Sequence, residues 1–483
     1  MITIIMWSTK LRWWQQQHQK HWEKQRLLTE IFFEGYMFTH MGIKQKLRRR
    51  VARCILQLLP KFPQNRVSEA LVRVVMERIW RQKIANLSQI LASVKRFSEN
   101  TNKNCQERLL DLAFKGLIEN QRIRDEGRRA GLPPLYTILI SPTMRCNLSC
   151  GGCYAKSYQK KDDLPFEIID RVVKEGKEIG VAFFTILGGE PFLRDDLFSL
   201  FEKHSDAYFQ VFTNSTLLNQ EAVKKLAEVG NMAVQCSIEG LKKVNDKRRG
   251  EGHFEKVMTA MDICNDQGVP FGYSVCVTRE NVEEVMSNRF VELMIQKGAL
   301  VGWYFLYMPV CGDRNTNLMP LPEQRKLMKE RRDYIRTHYP ILIIDFWNDA
   351  PYVGGCISAK YYCHINNFGD VEPCIFTHFS QVNVKNCSLK EALNCEFFKE
   401  IRSRQPFNKN LFLPCPLIDN PWESRTFLKA PGVYPTHPQA LTLIEDLKDA
   451  LDKYSQEVHR IYGPVWEEWE RAKQNTLSRK RDR

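Results

Sequence analysis

Between residues 135 and 347 the chain alternates short apolar runs with helical patterns, and few architectures accommodate that rhythm. Runs rich in β-branched and aromatic residues occupy 135–140, 181–187, 208–213, 232–238, 271–278 and 300–308. Helix-period patterns fill 165–179, 195–203, 220–229, 253–267 and 282–297 between them. Alternation of this kind predicts parallel strands joined by crossover helices. A strand buried on both faces reads as an unbroken apolar run, and residues 181–187 (VAFFTIL) do so. Six such units are too few for a closed eight-unit barrel. In barrels of this type, functional residues sit in the loops that follow the strands.

The loop after the first predicted strand carries Cys146, Cys150 and Cys153 in a Cys-x3-Cys-x2-Cys spacing. Thiolates are soft ligands that suit zinc or iron–sulfur clusters. A structural zinc site takes four protein ligands, and cubane clusters are usually held by four cysteines. No fourth Cys or His lies within forty residues downstream. Three clustered thiolates would leave one metal position open for a substrate or cofactor.

This spacing resembles the radical S-adenosylmethionine (SAM) superfamily. The resemblance implies that Cys146, Cys150 and Cys153 hold a [4Fe–4S] cluster whose open iron binds the amino and carboxylate groups of SAM. It also implies a six-stranded partial (β/α) TIM-type barrel, an α/β fold, over residues 134–347. Gly152 stands where the family often has a ring near the adenine; Tyr154 is the neighbouring aromatic residue.

The turn Gly188-Gly189-Glu190-Pro191 closes the second predicted strand. Glycines let backbone approach a ligand, Pro suits a helix start, and the turn resembles the segment that binds the methionine part of SAM. Glu190, or a nearby carbonyl, would accept from the SAM ammonium. By the same resemblance Asn214, Ser237 and Glu239, after strands three and four, contact the SAM ribose or carboxylate, and Arg249 reaches the carboxylate. Val275 and Thr278 can line the adenine pocket. Tyr307 and Cys311, near the end of strand six, are candidates for delivering or accepting a hydrogen atom, though a packed core Tyr and an incidental loop Cys are the weightier reading. Cys236, Cys264 and Cys276 read as small core residues.

A second group follows. Cys356-x12-Gly369-x4-Cys374 resembles the opening of SPASM and Twitch domains, which hold auxiliary [4Fe–4S] clusters. That implies an auxiliary site over 348–420 with Cys356, Cys374 and Cys415 as ligands and Cys363, His364 or a substrate group as the fourth. Cys387 and Cys395 are weaker candidates. Residues 421–483 read as a C-terminal helical segment without recognisable chemistry.

Residues 1–133 read as a basic helical region. Residues 1–100 hold 19 Lys and Arg against 6 Asp and Glu, nearly all of the net charge of +15. Such a segment suits an anionic partner, with a membrane surface ahead of nucleic acid; helices packed on the main domain with their charges solvated are the weightier reading of the pattern. No apolar stretch approaches the ~20 residues of a membrane span. The first residues lack the features of a secretory signal. Fifteen cysteines then fit a reducing, cytoplasmic setting, with membrane-peripheral contact open.

The resemblance implies an enzyme that cleaves SAM reductively to a 5′-deoxyadenosyl radical, which abstracts hydrogen from a substrate. An external donor such as flavodoxin or ferredoxin would supply the electron. The substrate is not readable: a peptide, lipid or small molecule all fit, so peptide maturase and lipid-modifying enzyme stand as alternatives. A non-catalytic iron–sulfur electron carrier is the alternative of another class, and the Gly-Gly-Glu turn speaks against it.

Overall fold

The computed structural model describes residues 87–117, 119–310 and 314–481. The basic region before residue 87, and Cys311 with it, lie outside the described residues.

Three helices, α1 (Leu87–Asn100), α2 (Lys103–Leu117) and α3 (Glu119–Arg129), precede the first strand, β1 (Thr137–Thr143). The alternation then runs α4 (Phe166–Glu178), β2 (Phe183–Gly188), α5 (Asp196–Lys203), β3 (Tyr208–Thr213), α6 (Gln220–Val229) and β4 (Met232–Ser237). It continues through α7 (Lys242–Arg249), α8 (His253–Gln267), β5 (Phe271–Val277), α9 (Val282–Val285), α10 (Asn288–Gln296), β6 (Val301–Leu306), α11 (Pro322–His338) and β7 (Leu342–Asp345). Strands β1 to β7 pair side by side in sequence order, all parallel. The result is a partial TIM-type barrel.

The sheet is wider than the six strands expected. β7 adds a seventh, and the sheet also extends on the other side of β1. There β8 (Tyr362–Ile365) pairs parallel to β1 and antiparallel to β9 (Val371–Glu372). These strands are four and two residues long, too short to show a period. After them come β10 (Phe379–Ser380), α12 (Leu389–Leu393), α13 (Glu396–Ser403), α14 (Pro421–Phe427), β11 (Tyr434–Pro435) and a long last helix, α15 (Lys448–Arg481).

The two faces of the sheet differ. The outward face carries Ile138, Ile140, Phe184, Phe209 and Val234, all fully buried under the helices. α4 supplies its side of that core at Ile169, Val172, Val173 and Gly176, the i, i+3, i+4, i+7 stripe of an amphipathic helix. Gly176 has no side chain because a Cβ there would lie 2.9 Å from the Phe184 ring. The inward face holds a separate cluster of Trp303 and Ile344 with Phe212 and Phe305 packed against it.

Candidate functional site

The three cysteines of the first loop lie at the C-terminal end of β1, half-buried and outside any disulfide. What fixes the loop is the turn after β2. Gly189 N–H donates to the Thr143 carbonyl at 2.9 Å and Glu190 N–H to the Arg145 carbonyl at 2.8 Å. A Cβ on Gly189 would collide with that Arg145 carbonyl, and one on Gly188, which has φ +122°, with the Thr143 carbonyl. The glycines are there for close approach. Tyr154 closes the other side, its hydroxyl donating to the Gly188 carbonyl at 3.0 Å.

Glu190 is fully buried and already supplied with donors. Its carboxylate accepts from Phe192 N–H (3.1 Å), the Thr213 hydroxyl (2.7 Å) and Asn214 N–H (2.7 Å). Burial pushes its carboxyl above the ordinary range against those donors. Its observed contacts thus latch the end of β2 to the end of β3. Pro191 opens the short 3-10 turn that follows. Asn214 in turn points its amide at Asn147 Oδ1 (2.8 Å) and Cys146 Sγ (3.7 Å). Cys146 Sγ also receives Leu148 N–H at 3.5 Å.

The opposite wall is α7. Gly151 N–H donates to the Arg248 carbonyl at 3.1 Å, and Arg248 Nε to the Gly151 carbonyl at 3.0 Å. Glu239, fully buried, pairs with Arg248 at 2.6 Å and Arg249 at 2.5 Å. Burial raises the Glu239 carboxyl, but the two guanidinium groups outweigh it and leave it below its ordinary value. Arg249, expected to reach a ligand carboxylate, therefore has a carboxylate partner within the chain. His253 ties these strand ends together: its Nε2 donates to the Asn214 carbonyl at 3.0 Å, so Nδ1 accepts from Asn245 Nδ2, also at 3.0 Å. Ser237 stands apart on the inward face, part-exposed and 3.3 Å from the Ser274 hydroxyl.

The donor set fits an iron–sulfur cluster. Three free thiols share one loop, N–H groups point at Cys146 Sγ, and two arginines offset charge near Cys150. Burial raises the Cys146 and Cys150 thiols; Leu148 N–H eases the first and Arg249 and Arg248 the second. Ligation would remove those protons.

Cys356, Cys374 and Cys415 line one pocket with Trp347, Tyr362 and Phe376. Each sulfur has a neighbouring polar group: Ser358 Oγ at 3.1 Å from Cys356, the Tyr362 hydroxyl at 2.9 Å from Cys374, and Leu417 N–H at 3.4 Å from Cys415. Burial pushes the Cys374 thiol up to about 12 and the other two above their ordinary value. Cys363 is not among them. It pairs in register with Ile138 on the outward face, with its thiol raised to about 12 by burial. His364 is also engaged elsewhere: Nε2 lies 2.7 Å from Ser141 Oγ and Nδ1 2.6 Å from Glu372 Oε2, all three residues fully buried. Cys387 donates to the Asn383 carbonyl, and Cys395 caps α13, away from the pocket.

Sequence reasoning missed three residues here. Tyr362 and Glu372 sit on strands too short to read. Asp419 accepts from Cys415 N–H at 3.0 Å and from Arg325 at 2.7 Å, anchoring the Cys415 loop. Its only sequence signal is an acidic residue four positions after a cysteine.

A family model described as "Radical SAM superfamily" matches residues 140–289. Among curated proteins, the chain is 29% identical over 228 residues to the Fe-coproporphyrin III synthase of Methanosarcina barkeri, covering 45% of this chain and 57% of that protein. The chain thus spans little more than half of that relative. The AdoMet-dependent heme synthase of the same organism is 25% identical over 290 residues, 54% of this chain and 82% of it. The mycofactocin maturase of Mycolicibacterium smegmatis is 26% identical over 281 residues, 54% of this chain and 71% of it. Among solved structures, Streptococcus suis SuiB bound to its precursor peptide SuiA aligns at a TM-score of 0.51 with 20% identity, over 61% of this chain and 73% of that one. That likeness concerns the fold.

Proposed function

The chain belongs to the radical SAM superfamily, and on that footing we propose that it is an enzyme activating a substrate C–H bond, with Cys146, Cys150 and Cys153 as cluster ligands. When bound, the [4Fe–4S] cluster and SAM supply reductive cleavage of SAM to methionine and a radical that abstracts a hydrogen atom. The observation that carries the assignment is the anchoring of the three-cysteine loop, through Thr143, Arg145 and Tyr154, on the Gly188-Gly189-Glu190 turn at the mouth of the barrel.

In this reading the chain's own residues position and enclose. Gly188 and Gly189 let the turn pack directly on the Thr143 and Arg145 carbonyls that lead into the cysteine loop. Glu190 holds strand ends β2 and β3 together beneath it. Asn214 orients the Cys146 loop, and Glu239 fixes Arg248 and Arg249 beside Cys150. Ser237 offers a hydroxyl from the inward face.

Cys356, Cys374 and Cys415 are assigned to a second cluster, supported by their shared pocket. A ligand set of three leaves the fourth position to substrate or another group. An external one-electron donor such as flavodoxin or ferredoxin, and an anionic membrane surface for the basic first hundred residues, complete the set of partners. Among the described residues no helix is long and apolar enough to cross a membrane.

Anaerobic reconstitution tests both assignments. Two cubanes would give about eight irons per chain, and reductant plus SAM would give 5′-deoxyadenosine. Cys146→Ala should lose about four irons and the SAM cleavage; replacing Cys356, Cys374 and Cys415 together should lose about four irons. Full iron and SAM cleavage in Cys146→Ala would refute the first assignment, and unchanged iron in the triple variant the second.

A further inference from the structure

The inward face of the barrel differs from the core that packs the outward face. On that outward face the strand residues are closed under helices. On the inward face one residue on most strands stays part-exposed: Leu139, Phe212, Ser237, Cys276 and Phe305, with Phe346 just past β7. A barrel filled by its own side chains would bury these positions. Here they stay part-exposed.

The part-exposed side chains of that face are apolar apart from Ser237. Trp303 and Phe305 stack with their ring planes 5° apart and centroids 6.0 Å apart. Phe212 meets both edge-on, and Phe346 lies 5.6 Å from Phe305. By the pairing register, no inward position on β1 to β8 carries Asp, Glu, Lys or Arg. Charge on this face is confined to two places where it is already paired: Glu372 on β9 with inward His364, and Glu239 at the rim with Arg248 and Arg249.

Two polar atoms on this face have no partner. Gln235 Oε1 and Trp303 Nε1 are buried without a hydrogen bond, in residues 2% and 6% exposed. Buried polar groups are nearly always satisfied, so each orphan asks for an explanation. One acceptor and one donor in an uncharged aromatic chamber match a hydroxyl or carbonyl on an otherwise apolar molecule.

Building on the radical SAM reading above, we infer that the substrate is an uncharged, largely hydrocarbon molecule bearing a hydroxyl or carbonyl, of the lipid or terpenoid type. Its apolar body lies against the part-exposed Phe212, Phe305 and Phe346, with the Gln235 and Trp303 orphans in the wall behind them as the nearest unsatisfied acceptor and donor. A carboxylate or phosphate in this chamber would be buried without a counter-charge, which is strongly unfavourable. A peptide would bring many backbone groups to walls that offer few partners.

The test uses the full-length reconstituted protein with geraniol and geranic acid, which share one hydrocarbon skeleton and differ in charge at pH 8. Equilibrium dialysis should find geraniol bound about tenfold or more tightly than geranate, a gap of about 1.4 kcal/mol. Phe305→Glu should weaken geraniol about tenfold or more, and Phe305→Leu far less. Trp303→Phe, which keeps a ring but removes the N–H, should weaken geraniol more than it weakens the matching hydrocarbon without a hydroxyl. Unfolding midpoints within a few degrees of the parent show that each variant folds. Equal binding of geranate, indifference to Phe305→Glu, or tighter binding of a charged nonapeptide would overturn the inference. Absence of 5′-deoxyadenosine from the parent protein, with geraniol still bound, would instead refute the radical SAM reading and leave the chamber's chemistry standing.

Discussion

Gly189 occupies a position where the Arg145 carbonyl leaves no room for a Cβ, whereas Gly151, five residues past Cys146, faces open space. The contrast predicts opposite outcomes for the same substitution. Gly189→Ala should cost roughly 1–3 kcal/mol in denaturant unfolding and lower the iron bound per chain, because the clash falls on the cluster loop. Gly151→Ala should stay within about 0.5 kcal/mol. His253 provides a second residue-scale test. Burial, helped by the charge of Arg249, holds it down to about 4 from an ordinary 6.5, so the folded chain keeps it neutral while the unfolded chain protonates it. Its contribution is present above pH 6.5 and declines as pH falls toward 4, by at most about 3 kcal/mol. Urea midpoints followed across that window should fall in the parent and fall less steeply in His253→Gln.

At the scale of elements, the hairpin β8–β9 joins the second cysteine group to the barrel. Its anchor is Glu372, which pairs with His364 and accepts from the Tyr158 hydroxyl at 2.8 Å and the Thr436 hydroxyl at 2.5 Å. His364 reaches Ser141, five residues before Cys146. Removing one member of a buried ionisable pair strands the other. Glu372→Ala should therefore cost about 3–5 kcal/mol in denaturant unfolding, with Glu372→Gln milder because it keeps acceptor and shape. The element scale is also where the sequence stopped being readable. The units from β1 to β6 announced themselves, since a helix-period stretch separates each strand from the next. β7 and β8 did not. Each is four residues long, and β8 places Tyr362 and His364 on one face and Cys363 and Ile365 on the other. That alternation separated Cys363 from the cysteines it was grouped with.

At the scale of the whole molecule, the two cysteine groups are linked through aromatic packing. Tyr154, next to Cys153, lies 6.4 Å from the Phe376 ring, which lies 6.2 Å from Trp347 in the pocket of the second group. Charge is distributed differently, with nearly all of the net +15 carried by the first hundred residues. Proposed binding to an anionic surface has a direct check. Sedimentation with phosphatidylserine-containing vesicles should fall steeply as salt rises past the screening range of about 0.1–0.2 M, and removing residues 1–86 should abolish it. Retention on neutral vesicles at high salt would rule out the electrostatic contact.

The order of strands and helices, the Cys146–Cys150–Cys153 spacing and the glycine turn after the second strand were determined by the sequence itself, because each rests on short-range periodicity or on residues close along the chain. Which cysteines meet is another matter. Cys356 and Cys415 are brought to one pocket, and Cys363 is kept out of it, by strand register and by which face of the sheet a residue takes. The same holds for Glu190 and Arg249, whose partners come from other strands and helices. Only the assembled sheet brings the aromatic inner face together, since its residues are drawn one or two at a time from separate segments.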